Sequence, residues 1–183
     1  MIELETARLL LRPLETRDLD DYYTRIFADP AVMRSLTGQP IARDGWDERV
    51  QQHFGEHWHR HGFGPWIAVH KEDRQVIGHC GVRFWPDSPE VEVFYALAHD
   101  YWGRGLATEG ARASVRFGFE HLGLDYVMAG ARVDNIASRR VMEKIGMTFE
   151  RNFGFLGYDC ARYGIAQQDF TDDGSPYRLI LRG

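Results

Sequence analysis

Residues 101–109 read Tyr-Trp-Gly-Arg-Gly-Leu-Ala-Thr-Glu, and they lie between an apolar strand-like segment, 91–97, and a stretch with helical spacing of apolar residues. Leu106, Ala113, Phe117 and Leu124 fall on one face at that spacing. Gly103 and Gly105 permit a tight turn and a close approach by a ligand. The first N–H groups of a helix that starts there have no partner within the helix, and the helix dipole adds positive potential. The segment therefore predicts an anion site at a helix N-terminus. The dinucleotide fingerprint G-x-G-x-x-G fails, because its third glycine position is Thr108, and no Gly-Lys-Ser/Thr follows to make a P-loop.

The surrounding pattern constrains the fold. Residues 9–11 read as a first strand, and 16–28 as a helix that starts at Thr16 and stops before Pro30. Asp29-Pro30 opens a short helix, 38–45 is a loop, and 46–61 is a polar helix ended by Gly62 and Gly64. Residues 65–70, 76–85 and 91–98 form an expected antiparallel meander. A helix at 106–122, a strand at 125–131, a helix at 136–145 and strands at 147–151 and 158–166 follow. This order predicts an α+β domain over 1–170, with a tail, 171–183, whose pattern specifies no element.

Composition excludes several classes. A net charge of -5 with no basic stripe argues against nucleic acid, since Arg112 and Arg116 are balanced by Glu109 and Glu120. Cys80 and Cys160 make no C-x-x-C pair. Residues 1–14 carry Glu3, Glu5, Arg8 and Arg12 and lack the apolar run of a signal peptide, and no stretch reaches the length of a membrane span. A soluble cytoplasmic protein, monomer or homodimer, without a metal is the expectation.

Gly105-Leu106-Ala107 matches the second half of a pyrophosphate-binding motif, Q/R-x-x-G-x-G/A, and the chain resembles the GNAT acetyltransferases that carry it. Trp102 stands where that motif has Gln or Arg, and Tyr101 to Glu109 is similar to the RimJ/RimL-type branch of ribosomal-protein N-terminal acetyltransferases. The same resemblance extends through Glu5 to Pro13, Asp29 to Met33, His61 to Gly64, Ile77 to Gly81 and Asn135 to Met147.

The resemblance implies a GNAT fold: a mixed, mostly antiparallel sheet in which two parallel strands, 91–97 and 125–131, splay apart, flanked by helices. It implies direct acetyl transfer from acetyl-CoA to an amine acceptor, a protein N-terminus or a small molecule. The pantetheine arm would enter the splay along Phe94, Tyr95, Ala96 and Leu97. The pyrophosphate would sit on Trp102, Gly103, Arg104, Gly105, Leu106, Ala107 and Thr108. Asn135 would hold the pantetheine and Ser138 would lie near the thiol, while helix capping suits both residues equally. Arg139 and Lys144 could reach the nucleotide phosphates. An alkylammonium must lose a proton before attack, and Glu92, on the thioester strand and in alternation with Phe94 and Ala96, is the candidate base. Trp46, Phe63, Trp66, Trp85 and Phe155 are candidates for an aromatic acceptor groove.

Two alternatives remain at this level. His53-Phe54-Gly55-Glu56-His57 spells H-x-x-E-H, which on a helix could bind zinc with Glu56 as base in a hydrolase. The fold could also serve as a non-catalytic acyl-CoA sensor. Phe94 feeds that second idea, because the resembling branch has a small residue there.

Overall fold

The computed structural model describes residues 2–181. Nine strands among them form one sheet in the order β7-β8-β6-β5-β4-β3-β2-β1-β9. Strands β3 (Pro65–His70), β4 (Val76–Phe84) and β5 (Val91–Leu97) make the expected meander. On one side of it, β2 (Leu9–Arg12) pairs with β3. On the other, β6 (Tyr126–Arg132) runs parallel to β5 and is followed by β8 (Tyr158–Ala166) and β7 (Thr148–Phe155). All other neighbouring pairs are antiparallel.

Adjacent residues on β4 show how the helices cover both faces, because alternate side chains point to opposite sides of a strand. His79 meets Tyr22 of α1 (Leu19–Tyr22) and Phe54 of α3 (Trp46–His61). Its neighbour Cys80 lies against Ser114 of α4 (Leu106–His121), Sγ to Oγ 3.4 Å. The short α2 (Pro30–Arg34) follows α1, with Asp29 as its cap, and α5 (Ile136–Lys144) follows β6.

The structure departs from the expectations in four places. A strand, β1 (Ile2–Thr6), precedes the predicted first one. The tail supplies β9 (Tyr177–Leu181), paired antiparallel along the whole of β1. Its partly buried, weakly alternating side chains give no local signal, and the segment before it is held from a distance by Arg112 on Asp173 and Arg116 on Asp172. Arg182 and Gly183, the end of that tail, lie outside the described residues. The helix expected at 16–28 is a 3-10 turn (Thr16–Asp18), then α1, then a widened π turn (Tyr23–Phe27). Strand β7 runs on to Phe155 rather than stopping at Arg151, because β8 keeps pairing with it.

One buried ion pair fixes the entry to the helical run. Arg12, at the end of β2, donates twice to Asp18, at 2.6 and 2.7 Å. The side chains are only 11% and 3% exposed. Asp18 also accepts the Glu15 N–H at 2.8 Å, which caps the first turn. Removing one partner of a buried pair strands the other charge. Asp18→Ala is therefore expected to lower unfolding free energy by about 3–5 kcal/mol in urea melts.

Candidate functional site

Strands β5 and β6 share one register point, Glu92 opposite Met128, and part beyond it. The edge of β5 from Val93 to Leu97 that faces β6 thus has no ladder partner. Just past this strand, Trp102 donates its indole N–H to the Leu97 carbonyl at 2.7 Å. The ring itself is 43% exposed. Gly103 and Gly105 both take left-handed backbone, φ 73° and 77°. Gly105 is the N-cap of α4 and has no side chain to satisfy the helix. Among the described residues, none accepts a hydrogen bond from the N–H groups of Gly105, Leu106, Ala107 or Thr108. The Leu106 side chain is buried and anchors this first turn in the core. Unpartnered N–H groups at a helix start of this kind can cradle an anion, here at the open end of the splayed strand.

Sequence reasoning missed what braces this cradle. Glu109 Oε1 accepts from the Arg8 backbone N–H at 2.7 Å and from the Thr6 hydroxyl at 2.6 Å. Its Oε2 accepts from Arg8 Nε at 2.7 Å, and Arg8 Nη1 donates to the Arg104 carbonyl at 2.7 Å. Burial works against the Glu109 charge, but the bonds from Thr6 and Arg8 outweigh it and hold the carboxyl below its ordinary range. About a hundred residues separate these partners, so no local pattern reveals them.

On the α4 and α5 side of the sheet, Tyr95 bridges the splay. Its hydroxyl lies 3.0 Å from Ser138 Oγ and 3.1 Å from the Ser138 carbonyl oxygen. Burial pushes the Tyr95 pKa up, so the phenol stays protonated. Asn135 Oδ1 accepts the Ser138 N–H at 3.1 Å and is the N-cap of α5. Arg139 is turned toward β8, donating to the Tyr163 hydroxyl and the Val133 carbonyl at 3.1 Å each. Lys144 is exposed at the far end of α5.

On the opposite side lie Glu92 and Phe94. Glu92 is 4% exposed and accepts from Arg83 Nε at 2.8 Å. Burial raises its pKa, and the Arg83 charge offsets this only in part. The same guanidinium sits 3.5 Å above the Phe94 ring, whose other neighbour is the stacked ring of His79. Ala96 follows on this face, opposite His79. Farther along, Trp85 meets Phe155 at 4.7 Å and Phe153 at 5.9 Å between ring centroids. Trp85 and Phe153 lie over Gly130 of β6, where even a Cβ would come within 3.3 Å of the Phe153 ring and 3.4 Å of the Trp85 ring. The end of α2 and the loop after it are latched to β6 and β8. Tyr158 donates to the Thr37 carbonyl, and Arg132 covers the Tyr158 ring while donating to the Arg34 carbonyl. Of the five aromatics expected in an acceptor groove, Trp46, Phe63 and Trp66 are instead core residues. Trp66 faces Phe117, and Trp46 packs on Tyr22 and Phe27.

The H-x-x-E-H segment assembles no metal geometry. His57 Nδ1 donates to the Phe63 carbonyl at 2.7 Å, and its Nε2 accepts the Phe84 N–H at 3.0 Å. His53 meets Arg83, and Glu56 accepts from Gln52. Among the described residues, no three His, Cys, Asp or Glu side chains are grouped to hold an ion. Nor is any described helix long and apolar enough to cross a membrane.

Comparison with known proteins places these features in context. The family model described as the acetyltransferase (GNAT) domain matches residues 8–148. The uncharacterised protein YkkB of Bacillus subtilis is 31% identical over 156 residues, covering 81% of this chain and 87% of YkkB. The FsC-acetyl coenzyme A-N(2)-transacetylase of Aspergillus fumigatus is 31% identical over 179 residues, covering 90% of this chain and 72% of that protein. A solved acetyltransferase structure from Agrobacterium tumefaciens superposes with a TM-score of 0.76 at 30% identity, covering 89% of this chain and 93% of that one.

The bonding of His57 makes it a strut between α3 and the sheet. His57→Ala leaves the Phe84 N–H without its acceptor and should cost about 1–3 kcal/mol in denaturant melts. Added zinc should leave the wild-type melting temperature unchanged. Burial holds the His57 pKa below its ordinary value; the hydrogen bond to the Phe63 carbonyl opposes this, and the nearby His61, His53 and Arg83 add to it. The unfolded chain therefore takes up this proton first, and stability present above about pH 6.5 is lost as pH falls toward the folded-state value. His57→Ala should remove part of that acid sensitivity.

Proposed function

The chain belongs to the GNAT acetyltransferase family and is an acyltransferase enzyme, and on that footing we propose that it moves an acetyl group from acetyl-CoA to an amine. The sensor alternative gives way to this family membership. The carrying observation is the row of unpartnered N–H groups at Gly105 to Thr108, set at the end of a strand whose inner edge is open. Such a row suits a diphosphate, and an open strand edge suits the amide-bearing arm of pantetheine. The FsC transacetylase, a relative over most of both chains, carries acetyl coenzyme A in its name. The segment from Tyr101 to Glu109 supports a place in the RimJ/RimL-type branch, and a cytoplasmic location is part of the same reading.

Acetyl-CoA supplies the activated acyl group, and this chain's own residues do the rest. Amides of Gly105 to Thr108 bind phosphate. Backbone groups on the free edge of β5 align the arm, and an N–H near Tyr95 polarises the acyl carbonyl. Glu92 takes the proton of the incoming ammonium. Its burial-raised pKa makes it a stronger base than an ordinary carboxylate, and Arg83 holds it in place. The paired hydroxyls of Ser138 and Tyr95 donate to the departing sulfur. Asn135 caps α5 and thereby fixes the position of Ser138. With Arg139 turned inward, the nucleotide phosphates are left to the loop and to Lys144. The rings of Trp85, Phe153 and Phe155 favour a peptide α-amine or a small hydrophobic amine over a polycation.

Calorimetry and kinetics separate these roles. Gly105→Val forces a β-branched residue into left-handed backbone beside Arg8 and should weaken acetyl-CoA binding by about tenfold or more. Ser138→Ala should keep that affinity and lose turnover instead. Unchanged binding by Gly105→Val would remove the cradle from the reading.

Glu92 generates a pH prediction. The rate should rise with pH as Glu92 deprotonates, with its ascending limb above the ordinary carboxylate range because the folded pKa is raised. Glu92→Gln should lower kcat/KM by about 10²-fold and abolish that limb. A profile of the same shape and height would rule Glu92 out as base.

A further inference from the structure

The cradle contains an electrostatic conflict. Glu109 is the fourth residue of α4, one turn from amides that would hold a dianion, and its carboxyl is kept charged. A carboxylate there repels phosphate unless it is neutralised. The turn between β1 and β2 resolves this. Arg8 Nε binds one Glu109 oxygen, and the Arg8 backbone N–H and the Thr6 hydroxyl bind the other.

A second contact fixes the geometry of the loop. Arg8 Nη1 donates to the Arg104 carbonyl. In a trans peptide the C=O and the following N–H point in opposite directions. Holding the Arg104 oxygen toward Arg8 therefore turns the Gly105 N–H away from Arg8, where it is left without a protein acceptor. Nη2 has no partner among the described residues, and it lies 3.5 Å from where a Gly105 side chain would begin. The side chain is 46% exposed, so no rigid packing holds the guanidinium apart from these bonds. Arg8, Gly105, Thr108 and Glu109 share the wall of a cavity of about 220 Å³. Arg112 and Arg116 across it are already bound to Asp173 and Asp172.

The geometry points to Arg8 as a positioning residue for the diphosphate of the acyl donor: it aims the Gly105 amide and cancels the Glu109 charge. This rests on the acetyl-CoA reading above. It assigns to the β1–β2 turn a part in donor binding that the glycine motif does not contain. A lysine cannot replace this arginine, because a single ammonium lacks the fixed fork that spans a carboxylate and a carbonyl.

The test measures CoA binding by calorimetry and steady-state kinetics for wild type, Arg8→Ala, Arg8→Lys and Glu109→Gln, with melting temperatures for each. Both Arg8 variants are expected to weaken CoA and to raise the acetyl-CoA KM by about tenfold or more, while kcat at saturation falls far less and the acceptor KM stays put. Glu109→Gln removes the charge that Arg8 cancels and leaves the Arg8–Arg104 bond in place, so its CoA affinity should stay much closer to wild type than that of either Arg8 variant. Should Arg8→Ala fail to fold, Arg8→Lys carries the comparison, since it keeps the charge on an exposed turn. Folded Arg8 variants that bind CoA like wild type overturn the assignment, as does full restoration by lysine. A loss in which kcat, both KM values and melting temperature move together also overturns it, in favour of a purely structural brace. Wild-type protein that ignores CoA sinks the parent reading, whereas wild-type binding with indifferent Arg8 variants sinks this assignment alone.

Discussion

An interior strand with one unpaired edge is the condition on which the rest of this molecule depends. Buried backbone N–H and C=O groups need partners, and an open edge is a template for another extended chain. Here β5 is secured by β4 along its whole length, and β6 by β8 along its whole length. Each strand is thus held from its outer side, and the two are paired at the single register point where Glu92 faces Met128. The gap does not close because other contacts define its width. Tyr95 reaches across it to Ser138, and Trp102 occupies the last carbonyl of the strand. A ligand that brings its own amides can add to the free edge without displacing any element of the sheet.

Charge is organised around the same gap. Helix α4 presents its unpartnered amides at one end, where the dipole favours an anion. The nearest carboxylate, Glu109, is bound to Arg8, and on the other face Glu92 is bound to Arg83. Farther along that face Arg162 is shared by Glu90 and Glu150. These carboxylates are thereby matched with arginines, and the rings of Trp85, Phe153 and Phe155 pack together beside them. On the same face Phe94 is clamped between Arg83 and His79.

What the sequence by itself determined was local. The glycine turn followed by an apolar helical face specified a helix start with free amides, because left-handed backbone and unpaired first-turn N–H groups are properties of that short segment. Alternation and turn residues placed β3, β4 and β5 as a meander, and the N-x-x-S spacing placed Asn135 and Ser138 at a helix start. The resemblance carried by several separate motifs supplied the splay, which no periodicity encodes. Tertiary structure decided what depends on distant partners. Strand β9 exists because β1 offers an edge and α4 offers two arginines, not because residues 177–181 alternate strongly. His57 is a strut because Phe63 and Phe84 surround it, and Trp46, Phe63 and Trp66 are core because helices cover them. The Arg8–Glu109 brace and the Tyr95–Ser138 bridge join residues tens to about a hundred positions apart. Hydrogen bonds of that kind form only once packing has removed the alternatives that water offers each group in the open chain, and so their partners can be read only from the folded molecule.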